Sequence, residues 1–117
     1  MSLRVYCYSG CGTCKKALKY LDGRGISYTL LPIRETPPSI AELKTMLKHL
    51  GGDIKKLFNT SSKDYRDGGF KTKISEMTEA EVFTVLTANG NLVKRPFLLG
   101  QGFGTVGFKE ELWNSIL

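Results

Sequence analysis

Two cysteines separated by two residues, Cys11 and Cys14, are the side chains in this sequence best suited to chemistry. A deprotonated thiol is a nucleophile, and the pairing of two thiols is a reversible two-electron oxidation. They lie in Val5-Tyr6-Cys7-Tyr8-Ser9-Gly10-Cys11-Gly12-Thr13-Cys14-Lys15-Lys16-Ala17, where an apolar strand breaks at glycine and resumes as a helix. A loop-to-helix junction leaves the first backbone N–H groups unpaired and pointing at Cys11, which stabilises a thiolate there. Free cysteine titrates near about 8.5, and a helix N-terminus with lysines nearby lowers that by about one to several units. Cys11 is therefore the expected nucleophile. Cys14, one helical turn further on, is close enough to form a disulfide with Cys11 yet is covered by the first turn, which suits a resolving thiol. The same spacing is also half of a zinc site, but a structural zinc needs four ligands. The remaining candidates are Cys7, on a strand, and His49, far along the chain on a helix, so no metal is expected. Cys7 is expected to sit in the packed sheet, away from the reactive groove, and to stay reduced.

Length and composition bound the rest. A chain of 117 residues, 41% hydrophobic and 24% charged, suits one domain over residues 1–117 with a single core. The start, Met1-Ser2-Leu3-Arg4, lacks the apolar run of a signal peptide, and no segment approaches the roughly 18 apolar residues of a membrane span. No membrane association is expected. Three cysteines, an odd number, argue against a structural disulfide framework and for a reducing, cytoplasmic setting in which the pair cycles catalytically. The net charge is +6, but the lysines are scattered along helices without an arginine-aromatic cluster or a helix-turn-helix pattern. Direct nucleic-acid binding is not expected, and a solvated basic surface, or attraction to an anionic substrate, is.

The elements that must hold the cysteines read as follows. Leu3 to Tyr8 forms a strand, and Thr13 to about Arg24 a helix that buries Cys14, Ala17, Leu18 and Leu21. Gly23 and Gly25 end it, and Ile26 to Leu31 is a second strand, parallel to the first through a right-handed crossover. Ser39 with Glu42 is a capping box opening a helix to Leu50, with Ile40, Leu43, Leu47 and Leu50 as its apolar stripe, closed by Gly51-Gly52. Asp53 to Phe58 and Lys63 to Arg66 read as short turns of helix around the polar loop Asn59-Thr60-Ser61-Ser62. Thr78 with Glu81 caps a helix that ends at Asn89-Gly90. Leu92 to Gly107 reads as a hairpin with Pro96 opening its first strand, and Lys109 to Leu117 as a closing helix carrying Leu112, Trp113 and Ile116. The predicted order is a βαβ half, a helical insertion over about residues 36–90, and a ββα half. That is an α/β, thioredoxin-like topology of the glutaredoxin kind.

With these elements in place, the sequence resembles the arsenate reductase (ArsC) and Spx family, a thioredoxin-fold branch with a helical insert. The resemblance covers nearly the whole chain. It rests on Tyr6 to Ala17, Thr36-Pro37-Pro38-Ser39, Leu57-Phe58-Asn59-Thr60-Ser61, Tyr65-Arg66, Lys94-Arg95-Pro96 and Thr105-Val106-Gly107-Phe108-Lys109. It implies a cis proline at Pro96 facing the active cysteine, and an arginine at Arg95 that meets a substrate oxyanion or the thiolate. Gly12, Thr13, Pro96, Asn59 and Lys109 are the implied substrate-binding positions beside the catalytic set of Cys11, Cys14 and Arg95. Arsenate reductases of this type resemble the chain at Cys11 and Arg95, but carry serine in place of Cys14, histidine in place of Cys7, and arginines where Asn59 and Lys109 stand. One arginine and a lysine make a less directional oxyanion clamp than three guanidiniums. Spx regulators share the paired cysteines and the arginine before proline, and bind the carboxyl-terminal domain of the RNA polymerase α subunit, with a glycine near the position of Gly51-Gly52 important to the contact. The resemblance thus implies thiol-disulfide oxidoreductase chemistry, with an Spx-type redox-sensing regulator as the alternative. No bound cofactor is implied. Reducing power is expected from a small-molecule thiol such as glutathione or from a redox protein, thioredoxin or glutaredoxin.

Overall fold

The computed structural model describes residues 3–117. Met1 and Ser2, on which the reading of the amino terminus partly rests, lie outside the described residues. Strand β1 (Leu3–Cys7) runs parallel to β2 (Tyr28–Pro32), pairing Leu3 with Tyr28 and Cys7 with Pro32. Helix α1 (Gly12–Gly23) makes the crossover between them. On the other side of β1 lies antiparallel β3 (Phe97–Leu99), and β4 (Gly104–Val106) closes the sheet in the order β2-β1-β3-β4. This is the thioredoxin-like α/β arrangement expected from the sequence.

Alternation along the strands splits the apolar residues between two faces. Leu3, Val5 and Cys7 of β1 and Leu98 of β3 face α1 and the last helix, α6 (Glu110–Ile116), where they pack with Cys14, Ala17, Leu21 and Trp113. Tyr6, Phe97 and Leu99 face the opposite way. They meet the insertion: α2 (Ile40–His49), α3 (Lys63–Asp67), α4 (Phe70–Lys73) and α5 (Glu79–Ala88), with short 3₁₀ turns at Ile54–Leu57, Ile74–Glu76 and Gly90–Leu92.

The capping signals act where the sequence places them. Ser39 and Thr78 accept from the backbone N–H groups of Glu42 and Glu81, whose carboxylates accept in return from the backbone N–H groups of Ser39 and Thr78. Glu42 also takes the Tyr6 hydroxyl at 2.7 Å and pairs with Arg4 at 3.1 Å, which ties α2 to β1.

Three details depart from the sequence reading. Ile40 is exposed, and Met46 takes the buried place on α2, because the helical face against the sheet runs through Leu43, Met46 and Leu47. Leu112 is likewise exposed while Trp113 alone of its helix is fully buried. Strand β2 begins at Tyr28 instead of Ile26, since α1 ends in a glycine turn at Gly25 (φ 68°) whose next N–H, from Ile26, bonds back to Leu21.

Candidate redox site

The parallel pair β1 and β2 ends at Cys7 and Pro32, and the groups with chemistry gather beyond that edge. Cys11 is the N-cap residue of α1, half-buried, with extended backbone (φ −90°, ψ 118°). Gly12 and Thr13 follow as the exposed first residues of the helix. Cys14 completes the first turn and is buried at 1% exposure. All three cysteines are free thiols. Gly10 makes the approach possible: a Cβ there would lie 2.7 Å from the Tyr8 ring, so a side chain would push the loop and ring apart.

Cys14 is the centre of a thiol cluster. It is hydrogen-bonded by the Cys7 thiol, by the backbone N–H of Tyr8 and by Cys11, and the Arg95 charge acts on it as well. Together these outweigh burial and bring its pKa down to about 6, which favours the thiolate. Cys7 moves the opposite way. Its hydrogen bond to Cys14, together with burial, drives its pKa far up, so it keeps its proton and donates it toward Cys14. The expectation that Cys7 stands apart from the reactive groove is thus corrected: the alternation that buries Cys7 with Val5 aims it at the same helical face that carries Cys14. His49, the other residue weighed for zinc, packs against Gly104, which pairs through Leu99 with the Arg4 end of the sheet, opposite the cysteines.

Arg95 and Pro96 flank the site through a cis peptide bond, as the family resemblance implies. Arg95 lies over the Tyr8 ring, its guanidinium carbon 5.2 Å from the ring centroid, and its Nη1 is buried without a hydrogen-bond partner among the described residues. A second guanidinium, that of Arg34, lies 4.7 Å from the same ring. The sequence reading missed Arg34, Tyr8 and Cys7. Arg34 could have been found from topology, because it follows the carboxyl end of a parallel strand by two residues, where α/β folds place their ligands.

Asn59 and Lys109 are not among the groups that perturb the thiols. Asn59 is buried after the Phe58–Val93 bridge, its N–H bonded to the Leu92 carbonyl, and Lys109 is the exposed N-cap residue of α6. On the side of α1 toward β2, a cleft of about 500 Å³ reaches Cys7 and Cys14 between Leu18, Leu30, Leu31 and Pro32.

The comparisons with known proteins agree with this architecture. Residues 6–116 match the ArsC family. The uncharacterised protein YusI of Bacillus subtilis (strain 168) is 44% identical over 111 residues, spanning 95% of this chain and 94% of that protein. The global transcriptional regulator Spx 2 of Bacillus cereus is 26% identical over 107 residues, spanning 92% of this chain and 80% of that protein. A crystal structure from Bacteroides fragilis, described as that of an ArsC family related protein, superposes with a TM-score of 0.92 at 38% identity, covering 100% of both chains. A half-exposed cysteine capping a helix, a second cysteine one turn inside it and a cis proline after arginine are thus set in a fold shared along the full length of the Bacteroides fragilis protein, and this chain belongs to the ArsC family.

Proposed function

We propose that this protein is a thiol-disulfide oxidoreductase in which Cys11 attacks, Cys14 resolves and Arg95 supports the anionic state. The observation that carries the reading is the placement of half-buried Cys11 as the N-cap of α1 with buried Cys14 one helical turn on, where hydrogen bonding lowers the Cys14 pKa. A Cys11 thiolate attacks one sulfur of a substrate disulfide, forming a mixed disulfide and expelling the other sulfur as a thiolate. The Cys14 thiolate then attacks the Cys11 sulfur, closing the Cys11–Cys14 disulfide and releasing the second substrate thiolate. Glutathione, thioredoxin or a glutaredoxin returns the two electrons. Gly12, Thr13 and Pro96 shape the groove through which the substrate approaches, and the unpaired Nη1 of Arg95 is a buried donor suited to an anion arriving there.

Turnover of a glutathionylated peptide with a glutathione or thioredoxin reducing system tests the reading. It predicts activity in the parent and none in Cys11→Ser. Arsenate turnover is expected to be weak or absent, because Asn59 brings no charge and Lys109 stands exposed on another element. Robust arsenate reduction would overturn that part.

A second reading is supported by the similarity to Spx 2 and by the exposed Gly51-Gly52 turn after α2, at φ 74° and 84°. Here the same disulfide is a switch that governs binding to the carboxyl-terminal domain of the RNA polymerase α subunit. Capture of that domain by one redox state and not the other, without peptide turnover, would favour the regulator.

A further inference from the structure

Cys14 has two thiol neighbours, and only one of them is used above. Cys7 hydrogen-bonds Cys14 from the end of β1, and both residues line the cleft between α1 and β2. Neither Cys11 nor Arg95 lines that cleft. Its walls are mainly apolar, formed by Leu18, Leu30, Leu31 and Pro32, with Ser9, Lys15 and Glu35 also lining it, and Leu30 is half exposed. The thiol cluster therefore has a second approach, and it differs in chemistry from the first. The Cys11 side offers a half-buried arginine with a buried, unpaired Nη1 and suits anions, whereas the cleft is mainly hydrocarbon and suits small, mostly apolar molecules.

We propose that Cys7 and Cys14 form a second redox pair, which reduces small apolar disulfides admitted through the cleft between α1 and β2. The step balances without Cys11. The Cys14 thiolate attacks one sulfur of the entering disulfide, forms a mixed disulfide and expels the other half as a thiolate. With the negative charge on Cys14 consumed, the principal force holding the proton on Cys7 is gone. The Cys7 sulfur then attacks the Cys14 sulfur, closing the Cys7–Cys14 disulfide, and its proton leaves with the second half as a thiol. The entering disulfide gains two electrons and the pair of cysteines loses them. Both cysteines belong to one packed cluster and line one cleft, which sets the end of β1 beside the first turn of α1.

The proposal shares Cys14 with the function proposed above but not Cys11, so the test uses Cys11→Ser, in which the Cys11–Cys14 disulfide cannot form. The folded, reduced variant is treated with diethyl disulfide, and separately with glutathione disulfide as a charged and bulky probe. Each rate is normalised to that of free cysteine with the same reagent. The expected product is a protein two hydrogens lighter with no adduct, its Cys7 and Cys14 peptides linked, formed severalfold faster by the apolar reagent. Cys7→Ser/Cys11→Ser is expected to stop as an ethylthio adduct on Cys14. A lasting adduct in Cys11→Ser with Cys7 free would overturn the pair, and equal normalised rates would overturn the cleft as its entrance. Should Cys11→Ser fail to fold, Cys11→Ala carries the same test. A Cys11–Cys14 disulfide that fails to form in Cys7→Ser would count against the proposed function alone.

Discussion

At the scale of single residues, the chemistry rests on how charge is divided among three sulfurs and one guanidinium. Burial alone would keep Cys14 neutral, yet hydrogen bonds from Cys7, Tyr8 and Cys11 and the charge of Arg95 outweigh it. Arg95→Ala removes one of these forces. In a Cys11→Ser background, ultraviolet titration should place the thiolate midpoint higher with Arg95→Ala than without it, and an unchanged midpoint would leave Arg95 to the substrate alone. The same division of charge sets a pH profile for the stability of the reduced protein. Cys14 is ionised in the folded state above about 6, whereas an unfolded cysteine ionises near about 8.5, so this contribution is full above the unfolded value and is lost as pH falls toward 6. Cys7 has the opposite sign. Its raised pKa leaves stability intact below about 8.5 and erodes it as pH rises beyond. Denaturant unfolding under a phosphine reductant should therefore show stability rising from pH 6 to a maximum near about 8.5 and falling above it, each slope at most about 1.4 kcal/mol per unit. A flat profile across that window would mean that the thiol cluster is not coupled as described.

At the scale of elements, the two halves of the fold were written plainly in the sequence because their signals are local. Capping boxes at Ser39 and Thr78, the alternation of β1 and the glycine after α1 each act within a few residues, and each appears where the sequence puts it. What was not legible depends on packing across the chain. The stretch from Gly68 to Met77 has no single period, and it forms α4 and a 3₁₀ turn because Phe70 stacks on Tyr65 and lies against Phe58. No local signal singles out Arg34 or Tyr8, because only the fold brings Arg34 and Arg95 onto the same ring. Cys7 and Cys14 lie on facing apolar stripes of one cluster, but alternation along a strand marks burial and does not name the neighbour. The insertion is seated on the βαβ half at one tight point. Gly90 follows α5, and a Cβ there would lie 1.8 Å from the Ile33 carbonyl oxygen, just after β2. Neither side of that contact is a flexible side chain. Gly90→Ala should cost about 1–3 kcal/mol or more by denaturant unfolding, and a loss below half a kcal/mol would show that the loop after β2 yields freely.

At the scale of the whole molecule, the sheet presents two environments to one pair of cysteines. The face with the insertion brings Tyr8, Arg34 and Arg95 beside the entry to α1, and the face with α1 and α6 buries Cys7 and Cys14 against apolar side chains. The net charge of +6 adds a long-range attraction for anionic partners to the local one. Family membership covers residues 6–116 and carries the fold, while the reaction rests on the thiols themselves. The most direct measurement is therefore disulfide mapping of the parent protein after mild oxidation and again after reduction with a dithiol. The account predicts a Cys11–Cys14 linkage that forms without aggregation and is fully reversed, with one thiol remaining titratable throughout. Retention of three free thiols under conditions that oxidise glutathione would contradict it.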